Sequence, residues 1–168
     1  MYQLEYDETR NEILQIDPDG KKTVITDDSP SIPIISPNGK KAVYISPLEW
    51  ERLGSLHLYD LENGTIANII EPDIDQNIPK YALWIDDDNI AVIIGFGDGT
   101  VAVGGNVFIY NITDHILKQI TDYSKEIQIT NIKMINETLS LKGIKYIDDI
   151  FAEFKEFEDT ISLNEFAL

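Results

Sequence analysis

The sequence predicts an all-β chain of repeated four-stranded antiparallel units, and three observations predict it. Isoleucine alone supplies 28 of the 168 residues, and Val, Tyr and Phe add more; these side chains suit a pleated, half-buried surface. The apolar runs are separated by Asp17-Pro18-Asp19-Gly20, Pro37-Asn38-Gly39, Glu62-Asn63-Gly64, Asp86-Asp87-Asp88-Asn89 and Asp98-Gly99. Gly, Asn and Asp tolerate the left-handed backbone of tight hairpins, so these are turns. The pattern also repeats. Residues 33–46, PIISPNGKKAVYIS, match 82–95, ALWIDDDNIAVIIG, at an offset of 49, and 56–61, LHLYDL, match 107–112, VFIYNI, at 51.

Taken in order, residues 11–27 read as strand, turn and strand, closing on Ile25-Thr26-Asp27 as the later copy closes on Ile120-Thr121-Asp122. The first full unit runs over about 32–71 and the second over about 81–122, with 64–72 matching 115–123. Residues 131–144 lie 49 after 82–95 and open a third unit, about 128–166, which residues 2–27 are expected to complete. Within it, Ile147, Ile150, Phe151, Phe154 and Phe157 share a helical face. The place in the repeat asks for strands instead, with Asp148-Asp149 and Glu158-Asp159 as turns, and both readings stay open.

A period near 50 residues with four strands per unit is the pattern of a β-propeller blade. Ser36-Pro37-Asn38-Gly39, followed by Lys40-Lys41-Ala42-Val43-Tyr44, and Leu56-His57-Leu58-Tyr59-Asp60-Leu61 with Gly64 resemble the TolB-type propeller repeat. The resemblance covers about 33–122. It implies a scaffold and carries no catalytic residues across. Three blades are too few to close a ring, so either two chains meet in a six-bladed ring or one chain forms an open arc with covered edges, and the homodimer is the expected assembly.

Composition narrows the partners. With 13 Lys+Arg against 30 Asp+Glu the net charge is −17, which repels phosphate backbones and anionic lipid, so neither nucleic acid nor membrane is expected. With no Cys, disulfides and thiolate chemistry are excluded. The start MYQLEYDETR shows no basic-then-apolar signal, and the expected location is cytoplasmic, with export followed by removal of a leader as the alternative.

Gly95-Phe96-Gly97-Asp98-Gly99 is not a phosphate cradle, because strand rather than helix follows it. Asp73-Ile74-Asp75-Gln76-Asn77 lacks the distant bidentate Glu of a full calcium loop, so a weak calcium site at Asp73 and Asp75 is the metal expectation and no other cofactor is expected. His57 aligns with Phe108 as a packing position, His115 falls in a turn, and Trp84 reads as between-blade packing. Two His give no three-His metal set and no Ser/His/Asp grouping.

The resemblance implies that loops between second and third strands share one rim, the usual ligand face. These loops are 46–54 and 95–105, joined by 71–80. Turn glycines are expected to make them mobile, and loops on a rigid scaffold concentrate recognition residues. The candidate ligand-binding residues are Glu49, Trp50, Arg52, Tyr81 and Asp98. Trp50 offers apolar area, Arg52 a fork for carboxylate, and the acids a field for positive groups. The leading reading is a non-enzymatic binding module for a protein or small ligand. The alternatives are a carboxylate-based glycan hydrolase and an acidic DNA-mimicking inhibitor.

Overall fold

The computed structural model describes residues 1–166 and 168, and its strands form four antiparallel meanders in chain order. The first sheet is β1 (Gln3–Asp7), β2 (Glu12–Ile16) and β3 (Lys22–Thr26). The second is β4 (Ile34–Ile35), β5 (Lys41–Ser46), β6 (Ser55–Asp60) and β7 (Ile66–Ile70). The third is β8 (Asn77–Trp84), β9 (Asn89–Phe96), β10 (Asn106–Asn111) and β11 (Leu117–Gln119). The fourth is β12 (Ile127–Ile135), β13 (Thr138–Tyr146) and β14 (Phe154–Ser162), followed by a 3-10 turn, Leu163–Glu165.

Side-chain alternation decides how the sheets stack. On β9, Ile90 and Val92 join Val43, Ile45, Leu56 and Trp84 in the core between the second and third sheets. Their neighbours Ala91 and Ile93 join Ile129, Ile132, Leu139 and Leu141 between the third and fourth. β5 divides the same way: Ala42 and Tyr44 turn toward Ile13, Tyr59 and Leu61 in the core against the first sheet. The two central sheets are therefore covered on both faces, which is why KAVYIS and NIAVIIGF read as continuous apolar runs. The end sheets are covered on one face. Their open faces carry exposed ion pairs, Lys22–Glu5 at 2.9 Å and Lys142–Glu158 at 3.8 Å.

The two expected repeat units are present as the second and third sheets, and their turns are built alike. The Asp60 carboxylate accepts the N–H groups of Glu62 and Asn63, and the Asn111 carbonyl accepts those of Thr113 and Asp114. Gly64, at φ 75°, is matched by His115 at φ 61°. His57 stacks on Tyr44 with ring centroids 4.9 Å apart, and Trp84 donates Nε1–H to the Ile34 carbonyl at 2.8 Å, tying the third sheet to the second.

Three expectations are corrected. There are four sheets rather than three four-stranded blades, two of them three-stranded, and they do not close into a ring within the chain. Residues 3–26 form their own sheet and pair with no strand of 127–162; Tyr2, Leu4, Tyr6 and Ile25 pack against the second sheet, at the other end of the stack. The open choice at 147–158 resolves as loop and then strand. β14 pairs with β13 from Tyr146↔Phe154 to Thr138↔Ser162, so Glu158-Asp159 lies inside a strand rather than in a turn. Phe157 and Ile161 pack on the core while Ile150 is left exposed. The nine-residue edge of β13 takes the segment into the sheet, overriding the local helical spacing.

Candidate functional site

The loops β5–β6, β9–β10 and β13–β14 gather on one rim with the connections between sheets. The Leu48 N–H donates to the Ser29 carbonyl at 2.7 Å, and the Gly97 N–H to the Gln76 carbonyl at 2.9 Å. The Val101 carbonyl accepts from Tyr146 Oη at 3.0 Å and from Gln128 Nε2 at 2.9 Å. The β5–β6 and β9–β10 loops are thus each fastened to the connection that precedes their sheet, and the third sheet's loop also to the fourth sheet.

Between the β5–β6 and β9–β10 loops lies a cleft of about 340 Å³, with Leu48, Trp50, Pro79, Lys80 and Val103 among its walls. Trp50 is 65% exposed there, and Leu48, Leu53, Val101 and Val103 leave apolar surface around it. A neighbouring cleft of about 480 Å³, lined by Ile34, Tyr44, Leu48 and Tyr81, shares Lys80 with the first.

Glu49, Trp50 and Arg52 come together around the first cleft. The Arg52 fork is not free for a ligand: Nη1 and Nη2 donate to both Asp28 oxygens at 2.7 and 3.2 Å, and Nη1 also to Glu49 at 3.1 Å. Ser29 Oγ–H donates to the other Glu49 oxygen at 2.6 Å. The Ser29 hydroxyl and then Arg52 hold the Glu49 carboxyl below its ordinary range, and Asp28 foremost holds the Arg52 guanidinium above its own. Tyr81 lies partly buried against the core of the third and fourth sheets and lines only the second cleft. Asp98 accepts the Gly99 N–H at 2.9 Å in an exposed tip.

Asp73 and Asp75 sit on a separate loop. The Asp73 carboxylate accepts the N–H groups of Asp75 and Asn77 at 2.9 and 2.8 Å and Asn77 Nδ2 at 3.0 Å, bonds that shape the turn. Those bonds, led by the Asn77 side chain, hold its carboxyl low. Among the described residues no three potential ligands gather around a point.

Two rim glycines, Gly95 and Gly105, serve close packing, whereas Gly99 at the β9–β10 tip has nothing within 4 Å of its Cβ position. A Cβ on Gly95 would sit 2.0 Å from the Gly104 carbonyl oxygen, and one on Gly105 would sit 2.1 Å from that of Ile94.

Sequence reasoning missed Lys80. Register passes from Pro79↔Ile94 directly to Tyr81↔Ile93, so Lys80 is the extra residue of a β-bulge, a device that re-aims a side chain. Its Nζ donates to the carbonyls of Ala102 at 2.6 Å and Gly104 at 3.1 Å. Burial pushes its ammonium down to about 8. The available signal was its place as the one charged residue in the strand NIPKYALW.

Stacked antiparallel blades with loops fastened at one rim define a propeller-like protein in an open arrangement. The chain belongs to the family described as a domain of unknown function, DUF4652, whose model matches residues 48–163. Among solved structures it is similar to a candidate conserved lipoprotein from Clostridium novyi NT, with 24% identity and a TM-score of 0.73, over 80% of this chain and 87% of that one. It is also similar to the β-propeller domain of the Trilobed protease from Pyrococcus furiosus, which has an open velcro topology. There the identity is 16% and the TM-score 0.53, over 95% of this chain and 48% of the other. TolB from Acinetobacter baumannii superposes at a TM-score of 0.47 with 18% identity, over 86% of this chain and 37% of that one, too low to carry an argument about blade type. These likenesses concern the fold. No curated protein matches the chain. Among the described residues no helix is long and apolar enough to cross a membrane.

Proposed function

We propose that this chain is a non-enzymatic binding module that recognises a protein through the rim cleft between the β5–β6 and β9–β10 loops. The observation that carries the reading is Trp50, 65% exposed beside Leu48 and Val103 on loops whose backbones are fastened. A rigid aromatic in an apolar cleft contributes contact area at little entropic cost, the pattern of interface anchors. A carboxylate-based hydrolase has less support, because Asp28, Glu49 and Asp73 spend their oxygens on internal partners. The blades are of TolB type on the strength of Ser36-Pro37-Asn38-Gly39 and of Leu56-His57-Leu58-Tyr59-Asp60-Leu61 with Gly64, although the second unit replaces the first of these turns with Asp86-Asp87-Asp88-Asn89. A two-chain ring would close through the open faces of the end sheets, which carry the exposed pairs Lys22–Glu5 and Lys142–Glu158, and the mass in solution distinguishes it from a single-chain binding unit. The likeness to a lipoprotein supports an extracytoplasmic site of action over a cytoplasmic one, which cell fractionation distinguishes.

The test compares wild type with Trp50→Ala. A protein retained by the wild type and lost from the variant at unchanged melting temperature supports the reading. Equal retention, or a fall in melting temperature, makes Trp50 a packing residue and refutes it.

A further inference from the structure

A lysine ammonium has three N–H donors. On Lys80 two are spent on the Ala102 and Gly104 carbonyls, and the third has no acceptor among the described residues. No carboxylate there pairs with it either, in a chain that carries 30 acidic residues. The bulge at Pro79/Tyr81 places this charge between the two clefts, against apolar walls that include Leu48, Pro79 and Val103. A charge partly desolvated and without a counter-ion carries a cost, and an anion that supplies both the missing acceptor and the missing charge recovers part of it.

We propose that Lys80 makes the rim cleft a recognition site for a carboxylate carried on an apolar body. The carboxylate takes the third N–H, and the apolar body lies against Trp50 and Leu48. The inference rests on the binding reading above and names the chemistry that the cleft selects. The net charge of −17 does not prevent it, because at physiological salt charges beyond about 8 Å are screened. Of the two acids in the first cleft's wall, Glu49 is held by Ser29 and Arg52.

Other ionisable groups on the walls are Glu51 and Arg52 from the β5–β6 loop, and Tyr6, Tyr44 and Tyr81 from β1, β5 and β8. The β9–β10 loop adds Gly97, Gly99, Ala102 and Val103 and no titratable side chain to the first cleft. Of the groups that meet in the clefts, Lys80 is the one brought by burial to about 8. A carboxylate favours the ammonium form, so affinity falls as pH rises through that value and binding takes up protons above it.

The experiment titrates the whole chain with 4-phenylbutyrate and, separately, 4-phenylbutyramide, following Trp fluorescence. At about pH 7 the acid is expected to bind about tenfold tighter than the amide and to lose that advantage near about pH 9.5. Lys80→Met is expected to bind both alike, and Lys80→Arg to keep the preference without the pH dependence. Equal affinity of acid and amide for the wild type, a preference that survives in Lys80→Met, or no binding of the acid up to roughly 20 mM overturns the proposal. Should Lys80→Met not fold, the pH dependence of the wild type decides. If acid and amide bind equally and Trp50→Ala weakens both, the cleft reading stands and the carboxylate inference alone fails; if Trp50→Ala changes neither, both fail.

Discussion

Replacing Gly95 by Ala tests whether the rim is held by close backbone packing. The added Cβ would lie 2.0 Å from the Gly104 carbonyl oxygen and 2.8 Å from the Gly105 Cα, both backbone atoms with no rotamer to escape into. Ordinary contact begins at 3.4 Å, so the strands must part by about 1.4 Å locally, the kind of overpacking that costs about 1–3 kcal/mol. Gly105 is also bridged to Ile129 by hydrogen bonds of 3.0 and 2.9 Å, so the displacement works against the fourth sheet and places the cost at the upper end of that range. For a chain of this size each kcal/mol lowers the melting temperature by about 2–4 °C, giving a fall of roughly 5–12 °C. Gly99→Ala is the control: nothing lies within 4 Å of its Cβ position, and only its φ of +89° opposes the change, a cost of about 1 kcal/mol. Thermal unfolding followed by circular dichroism measures both. A melting temperature for Gly95→Ala equal to or above that of Gly99→Ala would refute the packing argument.

Ile93, fully buried in the core between the third and fourth sheets, is expected to cost about 2–5 kcal/mol when cut to Ala. Ile135→Ala, at a position 57% exposed, should stay within about 0.5 kcal/mol; denaturant melts that rank them the other way contradict the stacking. Asp60 is held below the ordinary carboxylate range, first by the Lys41 ammonium at 2.6 Å and then by the Glu62 and Asn63 N–H groups. A carboxyl whose folded pKa is lowered stabilises above its unfolded pKa and loses that contribution as pH falls through the folded value. Wild type should therefore melt above Asp60→Asn near neutral pH, with the gap closing below about pH 4; a gap unchanged down to about pH 2.5 contradicts the pairing.

The central sheets were legible because burial on both faces leaves a continuous apolar signature and hairpin chemistry is local. Asp60 and Asn111, Gly64 and His115 announce their turns without help from distant residues. The first sheet was not legible as a separate layer, because what places it is face packing of Tyr2, Leu4 and Ile13 on Tyr59 and Leu61, and Tyr59 Oη–H reaches Gln15 at 2.7 Å across 44 residues of chain. The choice between helix and strand at 147–158 stayed open for the same reason, since the partner that settles it is β13. In the candidate site, Trp50 was visible as an aromatic in a polar loop. The capture of Arg52 by Asp28, 24 residues away, and the bulge that re-aims Lys80 depend on tertiary placement that no periodicity records.

The stacking of sheets in chain order also sets how cooperativity is shared. The molecule is a short linear array in which, among the described residues, each core cluster joins sheets adjacent in sequence, so stability is close to a sum of intrinsic and nearest-neighbour contributions. The end sheets hold on through one interface each and are the first to fray; the central pair hold on through two. The cleft with Trp50 and Lys80 is built from the second and third sheets and their loops. Opening at either end of the array can therefore relax the chain's extremities while the walls of that cleft keep their spacing.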